Sequence, residues 1–489
     1  MGLSLALNTA RASLAATSTQ IAVSARNVAG ASDPGYSRKI AALVASGNGG
    51  ATVSITRATD AALYARTLAA QSAAGRGEAL LEGVTNLSRT IGDTEDADSP
   101  AARFASLEAA LQAAANQPDS DALARAAIEA AKALAGSLNA AANTVHAARA
   151  QADAGMAEAV SRINDLLGQF DRANAAVRRN LAIGADATDA LDDRDRILPA
   201  LSADIGVTAI VRDGGDVALY TDSGVPLYDR GARTVSFSPT HTFAADTVGA
   251  VVVIDGVAVT GVGSPMPLAS GRLAGLAAFR DGVAPSYEAQ LDAMAGGLIA
   301  AFAEADLVGV DGGPRAGLFT IGTSATLPDG TAASRLGLAA RISVNVAVDP
   351  AQGGQLALLR TGGMNGADYR DPSAGSDAAY AGRLRALVSA LTARQTVDPA
   401  IGLGAALSLP DLAEASAGWI EGQRKDIKEA AAYQKTLLSR ANEALSNVAG
   451  VNGDDATELT LRLERSFAAS AKLIAVVNEL LKTLLDAVR

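Results

Sequence analysis

The feature that most constrains this chain is one uninterrupted helical pattern that runs from Ser120 to about Ala182. Apolar residues recur in it at helical spacing, and no proline interrupts it. Helices in globular proteins average about three to four turns, so a helix of this length extends far beyond one small core. We therefore expect a helical bundle or rod.

Other segments predict helices on both sides of the long one. Ser99 as N-cap and Pro100 at the first helical position begin a helix ahead of it. A shorter helix follows from about Asp189 and is expected to break or kink near Pro199. Helical patterns return after residue 270 and dominate up to the last residue.

Both chain ends carry a narrow apolar seam with members alternately four and three residues apart, which is the heptad period of coiled coils. In the first segment, Gly2 to about Ala29, the members are Leu3, Leu7, Ala10, Leu14, Thr17, Ile21, Ser24 and Val28. In the last segment they are Leu463, Phe467, Ser470, Ile474, Val477, Leu481, Leu484 and Val488. Two arrangements remain open: the helices pair with each other, or each docks separately on a shared core.

The chain changes character between Gly206 and Ala269, where strands are predicted. The stretch VTAIVRDGGDVALYT alternates apolar and polar residues around Gly214 and Gly215, which is a hairpin signal. TVSFS and AVVVIDGVAVTG add further strand signals, and ARISVNVAV predicts one strand later in the chain. A small β-rich domain is therefore expected in the middle of a helical protein.

These patterns give a nested layout. We predict a mainly α fold with a β-rich insertion, elongated and multidomain, with both chain ends at one end of the molecule. Residues 1–40 with 447–489 form a terminal domain of paired, coiled-coil-like helices. Residues 41–205 with 270–446 form a central helical bundle, and residues 206–269 form the outer β domain.

Composition excludes several classes of protein. The formal net charge of -11 opposes nucleic-acid binding, which requires a basic face. The absence of cysteine excludes disulfides and thiolate metal sites. No stretch approaches 18 uninterrupted apolar residues, so no membrane insertion is expected. The N-terminus has neither a basic region nor an apolar run, so we expect no cleaved secretory signal.

No pattern of residues indicates catalysis, a cofactor or a metal site. The two histidines, His146 and His241, have no second histidine nearby in the sequence. The acidic run at Asp93, Glu95, Asp96 and Asp98 lacks the calcium-loop spacing and predicts a solvated loop. Phosphate-binding, dinucleotide-binding, nucleophile-elbow and zinc-protease motifs are all absent from the sequence. We therefore predict an interaction or structural protein, not an enzyme.

The stretch DDRDR, from Asp192 to Arg196, carries both charge signs on a short predicted helix. It can form ion pairs along the helix or with a neighbouring helix. A catalytic carboxylate pair is the alternative, but the neighbouring sequence supplies neither a nucleophile nor a pocket.

The stretch ARNVAGASDPGYSRK resembles a signature near the N-terminus of bacterial flagellar axial proteins, namely rod, hook and hook-associated proteins. The matching residues are Asn27, Val28, Ala29, Pro34, Gly35, Tyr36, Ser37 and Arg38. Gly30 stands where asparagine is usual, and Asp33 stands where threonine is usual.

Further stretches resemble the family of the first hook–filament junction protein in particular. Its Leu-Asp-x-Arg-Asp segment is matched by Leu191, Asp192, Arg194 and Asp195. Residues 271–295 resemble its return helix. Its C-terminal segment is matched by Gly450, Val451, Asn452 and Asp454, with departures at Ala449, Asp455, Glu464 and Phe467.

The resemblance implies a structural protein that joins the flagellar hook to the filament by self-assembly into a tubular junction. The implied partners are further copies of the chain, the hook protein, a second junction protein on the filament side, and an export chaperone at the C-terminal helix. The implied location is extracellular, after export through the flagellar type III pathway without a cleaved signal. A hook or rod protein, or a flagellar component with an enzymatic insertion, is the alternative.

Residues expected at subunit interfaces come from the two seams and from the N-terminal signature. They are Leu3, Leu7, Leu14, Ile21, Val28, Leu463, Phe467, Ile474, Val477, Leu481 and Leu484, with Asn27, Pro34, Gly35, Tyr36 and Arg38. Leu191, Asp192, Arg194 and Asp195 are expected to form a structural motif.

Two physical expectations accompany these assignments. The terminal helices have narrow stripes and few aromatic residues, so we expect them to be loosely ordered alone and to order on assembly. Pro34 and Gly35 favour a turn after the first helix. That turn would present Tyr36 and Arg38 to a neighbouring subunit, or it is only a local turn.

Overall fold

The computed structural model describes residues 2–33, 35–45, 51–91, 96–309, 312–329, 331–374 and 377–487. Within these ranges the α-helices are α1 Gly2–Gly30, α2 Ala61–Ile91, α3 Pro100–Asn116, α4 Asp121–Ala182, α5 Thr188–Asp204, α6 Arg272–Ala278, α7 Ala284–Ala301, α8 Ala332–Arg335, α9 Ala357–Thr361, α10 Gly382–Thr392, α11 Leu409–Ala449 and α12 Gly453–Ala487. A π-helical turn, Phe279–Val283, joins α6 to α7.

The strands are short and form five small antiparallel sheets in the described residues. They are β1 Lys39–Ala45, β2 Ala51–Arg57, β3 Val207–Val211, β4 Val217–Thr221, β5 Pro226–Tyr228, β6 Val235–Ser236, β7 Val253–Ile254, β8 Val257–Ala258, β9 Phe319–Ile321, β10 Ile342–Val344, β11 Gln395–Thr396 and β12 Ala406–Leu407. The predicted fold class, mainly α with a β-rich insertion, is confirmed.

Helix α4 confirms the long helix predicted from the sequence. Its 62 residues extend for about 93 Å at 1.5 Å per residue. The Ser120 side chain caps its start by accepting the Leu123 N–H at 3.4 Å, and Ser99 caps α3 through the Ala102 N–H at 3.2 Å. One face of α4 is buried along its length against α2, α3, α5, α6 and α7, so α4 organises the central bundle.

Helix α5 runs unbroken through Pro199, where the sequence predicted a break or kink. Proline lacks an N–H, so the carbonyl of Asp195, four residues earlier, loses its helical donor. The Tyr64 hydroxyl of α2 donates to that carbonyl at 2.6 Å. The expected break was wrong because a side chain distant in sequence replaces the missing hydrogen bond.

The strands predicted in the middle of the chain are present. β3 and β4 form a hairpin that turns at Asp213–Gly215, with positive φ at Gly214 and Gly215. β6, β7 and β8 form a second small sheet. Two buried arginines hold the loop between β6 and β7 against the bundle: Arg149 of α4 donates to the Ala244 and Thr247 carbonyls, and Arg280 donates to the Ala250 carbonyl.

The hairpin of β1 and β2 corrects the sequence analysis, which placed residues from 41 onward in a helical domain. The two strands pair from Lys39↔Arg57 to Ala45↔Ala51 and lie against α1. The sequence between them contains Asn48-Gly49, a strong hairpin signal, although residues 46–50 lie outside the described residues. The helical assignment was therefore wrong for residues 41–45 and 51–57, which form the paired strands.

The two terminal helices pair with each other. Helix α1 packs along α12 on one side and against the β1–β2 hairpin on the other. Ser24 Oγ donates to the Ala456 carbonyl at 2.9 Å, and Thr460 Oγ1 donates to Ser24 Oγ at 2.8 Å. Of the two arrangements left open by the heptad seams, the structure therefore adopts the helix pair.

Candidate functional site: the terminal helices and their joint

The α1 seam consists of two columns with different burial. Ala10, Thr17 and Ser24 form the buried column that faces α12. The column of larger residues is only half covered: Leu7, Leu14 and Ile21 are half-buried, and Val28 is 44% exposed. The small residues bring the helix axes close together, so the larger side chains lie at the rim of the contact. The side chain of Leu3 lies outside the described residues.

The α12 seam faces α1 as predicted, with partial burial. Val477 is buried, Leu463, Ile474 and Leu481 are half-buried, and Phe467 is exposed. The side chain of Leu484 lies outside the described residues. A two-helix contact covers only a narrow strip of each helix, because a lone partner leaves the flanks open to solvent.

A second apolar stripe on α12 has no cover from any described element. Leu473, Val476 and Leu480 are 54%, 50% and 54% exposed. Their spacing of three and four residues places them on one face of the helix, and this face adjoins the seam. Exposed apolar stripes of this kind mark contact sites for other chains.

The two sequence motifs meet at one site, which we call the joint. It contains the end of α1, the turn residues 31–33 and 35–38, the ends of β1 and β2 at Lys39 and Arg57, and the first half of α5. Asn27 organises the turn: its Oδ1 accepts the Tyr36 hydroxyl at 2.9 Å and the Lys39 N–H at 2.8 Å, and its Nδ2 donates to the Lys39 carbonyl at 2.8 Å.

Gly30 and Tyr36 fit together in the joint. A Cβ atom at residue 30 would lie 2.6 Å from Cγ of the Tyr36 ring, so the ring occupies the place of a side chain. Burial raises the pKa of Tyr36 to about 12, which keeps its hydroxyl protonated as the donor to Asn27. Gly30, which departs from the flagellar signature, therefore leaves the space that the Tyr36 ring occupies.

Asp33, the second departure from the signature, is also used in the joint. Its Oδ1 accepts the Gly35 N–H at 2.8 Å, and its Oδ2 forms an ion pair with Arg196 at 2.8 Å. The Gly35 N–H holds the pKa of Asp33 below its usual value. The short turn therefore remains tied to α5.

Ion pairs connect the β1–β2 hairpin to α5. The Lys39 side chain is 1% exposed and pairs with Asp189, and at 3.6 Å with Asp192. Arg57 bridges Asp192 at 2.7 Å and Asp195 at 2.5 Å. Each pair joins residues more than 130 positions apart in sequence.

Burial dominates the protonation behaviour of this network. Burial raises the pKa of Asp192, although Arg57 and Lys39 oppose the change, and burial lowers the pKa of Lys39 against the attraction of Asp192. For both groups, the loss of hydration therefore outweighs the attraction of the partners. The cost of burying these charges therefore offsets part of the stabilisation that the ion pairs provide.

Arg194 links the predicted structural motif to the β insertion. It donates to the Gly215 carbonyl at 2.8 Å, in the β3–β4 turn, and to Asn174 of α4 at 3.2 Å. Leu191 is half-buried beside it. Helix α5 therefore contacts three different parts of the chain. Asp192 and Asp195 pair with the β1–β2 hairpin, and Arg194 binds both the β3–β4 turn and helix α4.

Two signature residues have other positions. The Arg38 side chain is exposed, while its N–H donates to the Ala449 carbonyl at 2.7 Å. Gly35 is half-buried, and Pro34 lies outside the described residues. Sequence reasoning missed Lys39, Arg57 and Asp189, and the only available signal was the excess of aspartate in α5, which predicts cationic partners without identifying them.

Other candidate groups are engaged in contacts within the chain. His146 pairs with Glu288, and Asp98 pairs with Arg103. Asp93 and Glu95 lie outside the described residues. Among the residues that the structure describes, no group of three or more His, Asp or Glu side chains is placed to hold a metal ion. No helix in the same ranges is long and apolar enough to span a membrane.

These features define a class: a helical subunit whose two chain ends pair and expose apolar surface. Residues 84–319 match the family model described as the flagellar hook-associated protein FlgK helical domain. The predicted resemblance to the flagellar hook-associated proteins is confirmed for residues 84–319, which are similar to this helical domain.

Structural comparison finds the flagellar hook junction protein FlgK from Burkholderia pseudomallei. The identity is 22% and the TM-score is 0.42, and the match covers 53% of this chain and 47% of that one. The chain thus matches about half the length of this solved structure. No curated protein matches the sequence.

Proposed function

We propose that the chain is a structural axial subunit that joins the flagellar hook to the filament by self-assembly into a tubular junction. The observation that carries the proposal is the uncovered stripe of Leu473, Val476 and Leu480 beside the helix pair. Together with the half-covered column of α1, it leaves apolar surface exposed on both helices of the pair. A subunit that contacts neighbours on two different flanks builds an open assembly, such as a tube, instead of a closed dimer.

The proposed layers follow the predicted domains. Residues 1–40 with 447–489 form the inner wall, and we extend this layer by the β1–β2 hairpin, which packs on α1. Residues 41–205 with 270–446, apart from that hairpin, form the middle layer. Residues 206–269 lie outermost. The role is structural, without catalysis.

The proposed partners are further copies of this chain, the hook protein, and a second junction protein on the filament side. An export chaperone covers α12 before assembly, because its exposed stripe promotes aggregation in a free subunit. The proposed location is the extracellular part of the flagellum, reached through type III export without a cleaved signal.

The test of the assembly surface is the double variant Leu473→Gln with Leu480→Gln. Glutamine has nearly the helix propensity of leucine, so α12 is kept while the stripe becomes polar. Tyr433→Gln is the matched control, since Tyr433 is a 61% exposed apolar residue on helix α11. Sedimentation velocity over a concentration series should show loss of self-association only in the double variant. Unchanged association of the double variant contradicts the proposal.

A genetic test separates the junction role from a hook or rod role. Cells without this chain should build hooks that carry no filament, and the unaltered chain should restore filaments while the double variant should not. Absence of the hook itself in those cells would support a hook or rod protein instead.

Two further expectations belong to this proposal. Amides of residues 463–487 in the free subunit should exchange quickly and become protected on assembly; strong protection without partners would contradict ordering on assembly. Tyr36→Ala should weaken assembly more than folding if Tyr36 also contacts a neighbour. Equal losses in both would make the turn a purely internal feature.

A further inference from the structure

The contact between the terminal layer and the central bundle differs in composition from the rest of the molecule. We define the terminal layer as α1, the β1–β2 hairpin and α12. The chain crosses between the two parts at residues 58–60 and at residues 450–452, and both connections are short. Among the described elements, β2 and α5 form the main contact across this boundary, and that contact is small.

The charges at this boundary are complementary. The terminal layer contributes Arg26, Lys39 and Arg57. The α5 side contributes four carboxylates, Asp186, Asp189, Asp192 and Asp195, all within 3.7 Å of one of those cations. One pair, Asp33 with Arg196, has the opposite polarity.

Large apolar side chains are missing from the buried residues of this boundary. The buried residues are Asn27, Lys39, Ala58, Asp192 and Ala449. Asp192 Oδ2 is buried without a hydrogen-bond donor. The contact therefore relies on directional polar groups, and polar boundaries inside a chain are those that permit relative movement of the two parts.

We propose that the joint is an ionic hinge. The ion pairs of Lys39, Arg57 and Arg196 set the orientation of the terminal layer on α5. When they are broken, the terminal layer turns as one body about the two short connections, while the helix pair and the hairpin remain intact. Hinges of this kind confine the change to a few residues at element ends. The hinge concerns the single subunit and does not depend on the proposed assembly.

The test is a distance distribution between two spin labels, measured by pulsed electron resonance on the full chain. The protein has no cysteine, so labels can be placed at Glu458→Cys, in the first part of α12, and at Lys428→Cys on α11 without removing native thiols. Both positions are exposed. Along α11 and α12, the labels lie within about 55 Å of each other at 1.5 Å per residue, which is inside the range of the method.

The unaltered protein should give one narrow distance peak. Lys39→Met should broaden the peak at least twofold, and Lys39→Arg should restore most of the narrow peak. Arg196→Gln is a milder second variant, because the Asp33–Arg196 pair is half-exposed and its loss leaves no deeply buried charge; it should broaden the peak to a smaller extent. Arg212→Gln, which breaks an ion pair with Asp229 in the β insertion, is the control and should change nothing.

Two results would overturn the hinge. In the first, Lys39→Met and Arg196→Gln both leave the peak width unchanged. In the second, broadening occurs together with a loss of amide protection in α1 and the hairpin, because the network would then hold the fold of the terminal layer and not its orientation.

Discussion

The contact between Gly30 and Tyr36 leads to a prediction whose size follows from the structure. In Gly30→Ala, the new Cβ would lie 2.6 to 2.8 Å from three atoms of the Tyr36 ring. These separations are far below van der Waals contact, so the ring must leave its place. Its departure breaks the hydrogen bond to Asn27 and moves the ring away from the Lys39 ammonium, now 4.9 Å from its centroid.

The expected change in the opening free energy of the joint in Gly30→Ala is the sum of opposing contributions. The hydrogen bond contributes about 1 kcal/mol, the ammonium–ring contact about 0.5–1 kcal/mol, and the lost cover of the half-buried ring about 1 kcal/mol. Alanine recovers up to about 1 kcal/mol over glycine in a helix. The net destabilisation of the joint is therefore about 1.5–2 kcal/mol. In a Tyr36→Ala background the clash is gone, so Gly30→Ala should stabilise by about 0.5–1 kcal/mol.

The assay is a double-mutant cycle read by hydrogen exchange. A chain of this size is not expected to unfold in one step, so the local opening free energy of the joint is the suitable quantity. The Lys39 N–H, which donates to Asn27, is a direct reporter. The cycle should give a coupling of about 2.5–3 kcal/mol between the two positions, because the gain in helix propensity cancels between the backgrounds. If Gly30→Ala has the same effect in both backgrounds, the ring contact is not its cause.

Three further predictions concern the central bundle. Arg280→Met should lower the local opening free energy of the central bundle by about 3–5 kcal/mol, because it leaves the buried Asp153 carboxylate without its cation; hydrogen exchange of the α4 amides measures it. Burial raises the pKa of Asp292 to about 6, above its unfolded value, so stability should rise by up to about 3 kcal/mol as the pH falls from above 6 to about 4. Thermal unfolding across that range should show this dependence reduced in Asp292→Asn. Ser99→Ala should cost about 1 kcal/mol by removing the cap of α3.

Features that depend on near neighbours in sequence were predicted well. The cap at Ser99, the extent of α4 from Ser120 onward and the turn at Gly214 and Gly215 all agree with the structure. Each is decided by hydrogen bonds and backbone preferences within a few residues. The β1–β2 hairpin is also a locally determined feature. Its Asn48-Gly49 signal is present in the sequence, although the hairpin was not among the predictions.

Features that depend on distant residues were not predicted. Pro199 does not break α5, because Tyr64 lies in a helix more than 130 residues away and supplies the missing donor. The buried state of Lys39 could not be predicted either, since its aspartate partner is 150 residues away. A local sequence pattern does not show which distant residue supplies a missing hydrogen-bond donor or pairs with a buried charge.

The sequence by itself determined that both chain ends are helices with a heptad seam, that the middle is β-rich, and that two flagellar motifs are present. Only the tertiary structure decided that the seams pair with each other, that small residues lie at the contact and larger ones at its rim, and that the two motifs meet at one joint. The physical reason is that a heptad period predicts an apolar stripe that another surface must cover, but it does not identify that surface. In the same way, the cluster of aspartates in α5 predicts cationic partners, but it does not show where in the chain those partners are.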